Sequence, residues 1–226
     1  MSFVVVEGLD GSGKSTQVAL LKEYLKKESI PFKYLHFPRL EEGVYGKLIA
    51  RFLRGEMGRI DQVDPYLVAL IFAGDRGDAK EMICSWIKDG YFVLIDRYVY
   101  SNIAFQCAKI NAVYEQTLLR DWILQFEFSH LGLPVPDINL FLDVPLKFIQ
   151  EKLKASRLGP DRSYLKGKTD IHEDDLTFQQ KVREIYLSLR GKVDNLKIID
   201  CSSNNNIQSP NIIFEKLRKE LPLKSK

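Results

Sequence analysis

The chain has only three cysteines, Cys84, Cys107 and Cys201. Their number is odd, they lie far apart, and no pair has C-x-x-C spacing. This argues against a disulfide framework or a thiolate metal site, and predicts reduced thiols in or near the core of a cytoplasmic protein. No apolar stretch approaches the length of a membrane span. The first apolar run is too short for a signal peptide and lacks a basic flank. An excess of one charge is also missing: 33 basic side chains face 30 acidic ones, a net of +3. Neither nucleic acid nor a membrane surface is therefore expected as a partner. There is no internal repeat and no Pro/Ser-rich linker, so residues 1–226 read as one domain. What remains is ordinary for a compact enzyme: 226 residues, 45% hydrophobic and 28% charged, enough to bury most of the unfolded surface.

Against that background one segment stands out. Gly8-Leu9-Asp10-Gly11-Ser12-Gly13-Lys14-Ser15 fits the pattern G-x-x-x-x-G-K-[ST]. A short β-branched run, Ser2 to Glu7, precedes it, and apolar residues at helical spacing follow from Thr16. Glycines at these positions let the backbone turn tightly and aim its N–H groups at phosphate oxygens. The helix that follows adds the positive end of its dipole. Lys14 is then a cation for the β- and γ-phosphates, and the Ser15 hydroxyl a Mg²⁺ ligand.

Strand-like and helix-like stretches alternate along the chain. Strands are expected at 3–7, 32–37, 91–95, 138–142 and 196–199. Helices are expected at 15–28, 45–54, 64–88, 114–128, 146–156, 174–190 and 211–221. Alternation with apolar strands implies α/β architecture: three layers, α/β/α, around a five-stranded parallel sheet. Right-handed crossovers bring the functional loops to one sheet edge. The most polar stretch interrupts two helices and contains Gly159, Pro160 and Gly167. A long loop in a compact domain is usually functional, and 154–175 is expected to be a short lid insertion.

Asp96 and Arg97 directly follow an apolar strand. At the carboxyl end of a core strand the carboxylate would orient Mg²⁺ or its water shell. Arg97 would fork onto a phosphate. The plainer alternative is an aspartate capping the next helix.

Several blocks, in order, resemble the thymidylate kinases of the P-loop nucleoside monophosphate kinase superfamily. They are Val6 to Thr16; Phe37-Pro38-Arg39; Phe72-Ala73-Gly74-Asp75-Arg76; Asp96-Arg97-Tyr98-Val99-Tyr100-Ser101-Asn102; Pro136-Asp137 leading to Leu142-Asp143-Val144; and Asp170-Ile171-His172-Glu173. Together they span nearly the whole chain. The resemblance implies transfer of the γ-phosphate of ATP to dTMP, with Mg²⁺ at Ser15 and Asp96. Gly8, Asp10, Gly11, Ser12, Gly13, Lys14, Ser15 and Thr16 would bind ATP. Phe72 would stack on thymine while Arg76 donates to a base carbonyl; four apart on a helix, the two share a face. Asn102 would pair with the base edge, its amide offering a donor and an acceptor, with Gln106 as a further base contact. Phe105 would crowd the sugar 2′ position, and Asp10 would accept from the 3′-OH. Arg39 and Arg97 would clamp the acceptor phosphate. The same match places Phe37, Leu53 and Ser101 in the acceptor site, and Cys201 to Asn204 beside adenine by analogy. It also implies a homodimer formed through helices.

The sequence departs from the family in two places. Some members carry an arginine in the phosphate loop, where this chain has Gly11. The catalytic cation is then expected from the lid, which with its approach offers Lys154, Arg157, Arg162, Lys166 and Lys168; Arg157 and Arg162 are the candidates. The tyrosine that follows Phe-Pro-Arg in the family is Leu40 here. Two other readings stand beside this one. One is a P-loop kinase for another nucleoside or nucleotide. The other is a regulatory or assembly ATPase, which generally needs a Walker-B aspartate and a water-activating group.

Overall fold

A computed structural model describes residues 2–155, 165, 176–204 and 206–223. Five strands form one sheet: β1 (Ser2–Gly8), β2 (Phe32–His36), β3 (Phe92–Asp96), β4 (Ile138–Asp143) and β5 (Leu196–Asp200). They lie in the order β2-β3-β1-β4-β5, and every pair is parallel. All seven residues of β1 are buried, as expected of the centre of a sheet covered on both faces. Val6 is level with Asp96, Gly8 with Leu142, and Asp143 with Asp200. The chain runs to one side of β1 through β2 and β3, then crosses to the other for β4 and β5. The crevice at the carboxyl end of β1 is therefore the topological switch point, where open α/β sheets bind their ligands.

The helices are α1 (Lys14–Lys27), α2 (Gly43–Leu53), α3 (Pro65–Lys88), α4 (Val99–Cys107), α5 (Val113–Leu124), α6 (Leu146–Ala155), α7 (Leu176–Ser188) and α8 (Pro210–Lys219). A π-helical segment, Gln125–His130, continues α5. Helix α1 lays Val18, Leu21 and Leu25 on the sheet. Helix α3 starts where Pro65 follows Asp64, whose carboxylate accepts from the N–H groups of Tyr66 and Leu67. A smaller apolar cluster of Ile49, Phe52, Leu53 and Val68 joins α2 to α3, with Phe72 packed against it.

The five expected strands and seven expected helices are all present, with ends that coincide or shift by up to four residues. Two elements lie outside the sequence reading. Helix α4 is buried at every one of its nine positions, so it has no polar face and no amphipathic period to read. The hairpin of β6 (Ser202–Ser203) and β7 (Asn206–Ile207) is too short for a pattern. Cys107 and Cys201 are buried and Cys84 partly so, which puts them in or near the core as expected.

Candidate functional site

The phosphate loop leaves β1 at Gly8 and re-enters structure at Lys14, the first residue of α1. Gly11 and Gly13 have φ of 74° and 84°, a left-handed backbone that glycine adopts without a Cβ penalty. Gly8 allows close approach: a Cβ there would stand 2.6 Å from Ser12 Oγ. That Ser12 hydroxyl is buried and has no hydrogen-bond partner among the described residues. Lys14 lies back along the loop, its Nζ donating to the carbonyls of Leu9 at 2.8 Å and Gly8 at 3.3 Å. Burial, and then the Arg97 charge, push its pKa down to about 8, against the pull of Asp96 and Asp10. Ser15 and Thr16 are exposed on the first turn of α1, whose N–H groups have no intrahelical acceptors. This is a concave row of donors with a hydroxyl and one ammonium, suited to a polyphosphate.

Asp96 ends β3 beside this loop. Its Oδ2 is 3.2 Å from His36 Nδ1, while its Oδ1 is buried without a partner among the described residues. Burial works to raise this carboxyl, but the His36 hydrogen bond and the Lys14 charge outweigh it and hold its pKa below the usual carboxylate range. It caps no helix; the residue before α4 is Tyr98, with no side-chain cap. The described residues contain no cluster of three or more metal-ligating His, Cys, Asp or Glu. One carboxylate oxygen without a partner and one exposed hydroxyl fit Mg²⁺ instead, which keeps waters and takes phosphate oxygens as its other ligands.

Arg97 crosses the crevice. One Nη donates to the Gly8 carbonyl at 2.8 Å and to Ser101 Oγ at 3.3 Å; the other donates to Asp10 Oδ1 at 2.5 Å. Asp10 Oδ2 lies 3.5 Å from Gln179 Nε2 on α7. The guanidinium stands 5.2 Å from the ring centroid of Phe105, which in turn faces Phe178 at 6.1 Å. Phe105 and Phe178 are both buried.

The third group of expected residues gathers between α3 and α4. Arg76 is buried and doubly bonded to Glu127, Nε to Oε2 at 2.5 Å and Nη to Oε1 at 2.6 Å. Asn102 Nδ2 donates to Glu127 Oε1 at 2.9 Å and to the Ala69 carbonyl at 3.0 Å. Asn102 Oδ1 and Gln106 Oε1 are buried without partners among the described residues. Phe72 is partly exposed, edge-on to Phe52 at 6.5 Å, beside Leu53. Arg39 is fastened to Asp75: its N–H and Nε reach the carboxylate at 2.9 and 3.0 Å and an Nη reaches the Asp75 carbonyl at 2.8 Å. Burial pushes the Asp75 carboxyl up, and Arg39 pulls it back. Arg39 also meets Glu42 and lies 5.8 Å from the Phe37 ring centroid.

Arg157 and Arg162, with Lys166 and Lys168, lie outside the described residues, as does the Lys154 side chain. Five residues that the sequence reading left without a role are built into the site: Glu7, Asp75, Glu127, Gln179 and Tyr186. Glu7 carried a signal, a charged residue inside a buried β-branched strand. Asp75, Glu127, Gln179 and Tyr186 sit on helical stretches where a polar side chain is unremarkable.

A phosphate loop at the switch point of a parallel sheet, faced by a cleft rich in bound arginines, defines a P-loop α/β protein of the nucleotide-kinase type. The family model described as "Thymidylate kinase" matches residues 6–211. A thymidylate kinase of Plasmodium falciparum is 30% identical over 205 residues, 87% of this chain and 91% of that one. One of Thermosipho africanus is 34% identical over 200 residues, 88% and 89% of the two chains. The solved thymidylate kinase structure of Candida albicans superposes with a TM-score of 0.71 at 27% identity, covering 96% of this chain and 89% of that one. The chain belongs to the thymidylate kinase family.

Proposed function

We propose that the chain performs its family's reaction, ATP + dTMP → ADP + dTDP, with the roles divided as follows. Gly8 to Thr16 cradle the donor phosphates, and Lys14 offsets the charge on the β- and γ-groups. Asp96 and Ser15 hold Mg²⁺, which when bound adds positive charge along the same phosphates. Arg97 and Arg39 grip the acceptor phosphate. Phe72, Arg76, Asn102 and Gln106 read the base, Phe105 lies against the sugar, and Asp10 accepts from its 3′-OH. The attacking phosphate is already an anion, so no strong base is required; positioning and charge neutralisation carry the rate. An arginine of the 154–175 lid, Arg157 or Arg162, completes that neutralisation.

The observation that carries this reading is the double attachment of Arg97. It holds Gly8 and Asp10 of the donor loop and reaches Ser101 on α4, the helix that carries Asn102, Phe105 and Gln106. The free thiols support a reducing, cytoplasmic setting. Leu67, Leu70 and Met82, exposed apolar side chains on α3, support a homodimer through helices. No described helix is long and apolar enough to cross a membrane.

An ADP-release assay across dTMP, dUMP, UMP, CMP, AMP and GMP tests the reading, and dTMP is expected to give the highest kcat/KM. A preference for another acceptor would make the chain a different nucleotide kinase. ADP release needing no acceptor would make it an ATPase. Sugar choice is checked by Phe105→Ala, which should narrow the gap between the deoxy- and ribo-forms of one nucleotide, because a crowded pocket rejects sterically and incompletely. An unchanged ratio would move sugar selection to Asp10.

A further inference from the structure

Glu7 is fully buried one residue ahead of the phosphate loop, and the reaction gives it no task. Four donors converge on it. The N–H groups of Tyr98 and Ser101 reach Oε1 at 3.0 and 3.2 Å. The hydroxyls of Ser101 and Tyr186 reach Oε2 at 2.5 and 2.8 Å. The two hydroxyl oxygens are themselves 2.8 Å apart. Ser101 Oγ also accepts from Arg97.

Hydrogen-bond direction orders these groups. A guanidinium only donates, so Ser101 must accept from Arg97 and donate its single O–H to Glu7. Tyr186 donates to the same carboxylate oxygen from the other side. The order is Arg97 N–H to Ser101 O–H to Glu7, met by Tyr186 O–H. An acceptor-only carboxylate satisfies four convergent donors; an amide in its place would set N–H against O–H.

Arg97 needs such a frame. Its φ is 66°, a left-handed conformation that an arginine keeps only where its surroundings over-determine it. Its own N–H is tied to the Val6 carbonyl at 3.0 Å. The next N–H, that of Tyr98, is tied to Glu7. Tyr186 reaches this point from α7, and its ring is stacked on Phe141 at 4.3 Å, so the hydroxyl can be removed with the ring left in place.

We propose that Glu7 and Tyr186 are positioning residues that hold Arg97 in the geometry that grips the acceptor phosphate. The proposal rests on the thymidylate kinase reading above.

The test is steady-state kinetics and thermal melting of the full chain with Tyr186→Phe and, separately, Glu7→Gln, using thymidine as a probe that lacks the phosphate. Tyr186→Phe should raise KM for dTMP and lower kcat/KM about fivefold to tenfold, the worth of one buried hydrogen bond. KM for ATP and inhibition by thymidine should stay within about twofold. Glu7→Gln should do the same more strongly. Ser101→Ala combined with Tyr186→Phe should cost less than the two singles together, because both act through one carboxylate. Unchanged dTMP kinetics in both variants would overturn the proposal. So would an equal loss for dTMP, ATP and thymidine with a lowered Tm, which marks a purely structural role. A wild-type protein that ignores dTMP would instead overturn the functional reading. Isothermal binding of inorganic phosphate, weakened by Tyr186→Phe, would still report on Arg97; phosphate binding that is unchanged would count against the positioning role.

Discussion

Lys14→Ala is expected to lower kcat on the order of 100-fold or more, the cost of losing a charge contact at a transferring group, with Tm unchanged or raised. The ammonium spends its hydrogen bonds on two carbonyls of its own loop, Leu9 and Gly8. Those contacts are local and replaceable, so the fold does not depend on them. Its position does matter to a nucleotide. Burial and the Arg97 charge have brought the pKa down to about 8, so the protein's own groups do not fully compensate this cation. Polyphosphate supplies the missing negative charge and should return the pKa toward its ordinary value. Wild-type protein near pH 8 should therefore take up protons on binding ATP, seen as a buffer-dependent heat in calorimetry, and Lys14→Ala should not. Stability carries the matching sign. The unfolded chain binds the Lys14 proton more tightly than the folded one, so this group costs stability at neutral pH, and the cost fades as pH rises from about 8 toward the unfolded value. A variant with near-normal turnover would show that the loop is not the donor site.

The frame was legible because parallel strands buried on both faces read as β-branched runs between helical periods. That gave the sheet, the order of elements and the switch-point loop from Gly8 to Ser15. Helix α4 was hidden for the converse reason: complete burial leaves no alternation to detect. The arginines Arg39, Arg76 and Arg97 were visible as motif residues, but the carboxylates Asp75 and Glu127 that hold the first two had been given no role. Glu127 lies 51 residues from Arg76, Asp75 lies 36 from Arg39, and Glu7 lies 91 from Tyr98. Spacing within one helix or strand reports local neighbours, whereas these pairs exist only after the sheet has brought distant segments together. Among the described residues, Lys14, Arg39, Arg76 and Arg97 are each already held by a carboxylate or carbonyl. The site is a preorganised set of charges in which the sequence marked the acids Asp10 and Asp96 but not Glu7, Asp75 or Glu127.

The largest stability effect should come from one of those unmarked acids, Glu127. Its carboxylate is completely buried and takes two bonds from Arg76 and one from Asn102. Glu127→Ala strands a guanidinium that is itself buried. Breaking a buried pair from one side costs about 3–5 kcal/mol, because the remaining charge has lost its compensation. At roughly 2–4 °C per kcal/mol for a chain of this size, Tm should fall by about 6–20 °C. The same change frees Arg76 and Asn102 to move, so KM for dTMP should rise well above the change in KM for ATP when both are measured far below the melting transition. A double variant separates the two effects. Arg76→Met with Glu127→Leu fills the space with apolar groups and removes both charges, which is often neutral for stability. It should recover most of the lost Tm while leaving dTMP recognition impaired, since no guanidinium remains for the base. Recovery of both would mean that Arg76 serves packing alone. A Glu127→Ala protein melting within about 2 °C of wild type, well short of a lost buried pair, would mean that the pair contributes nothing to stability.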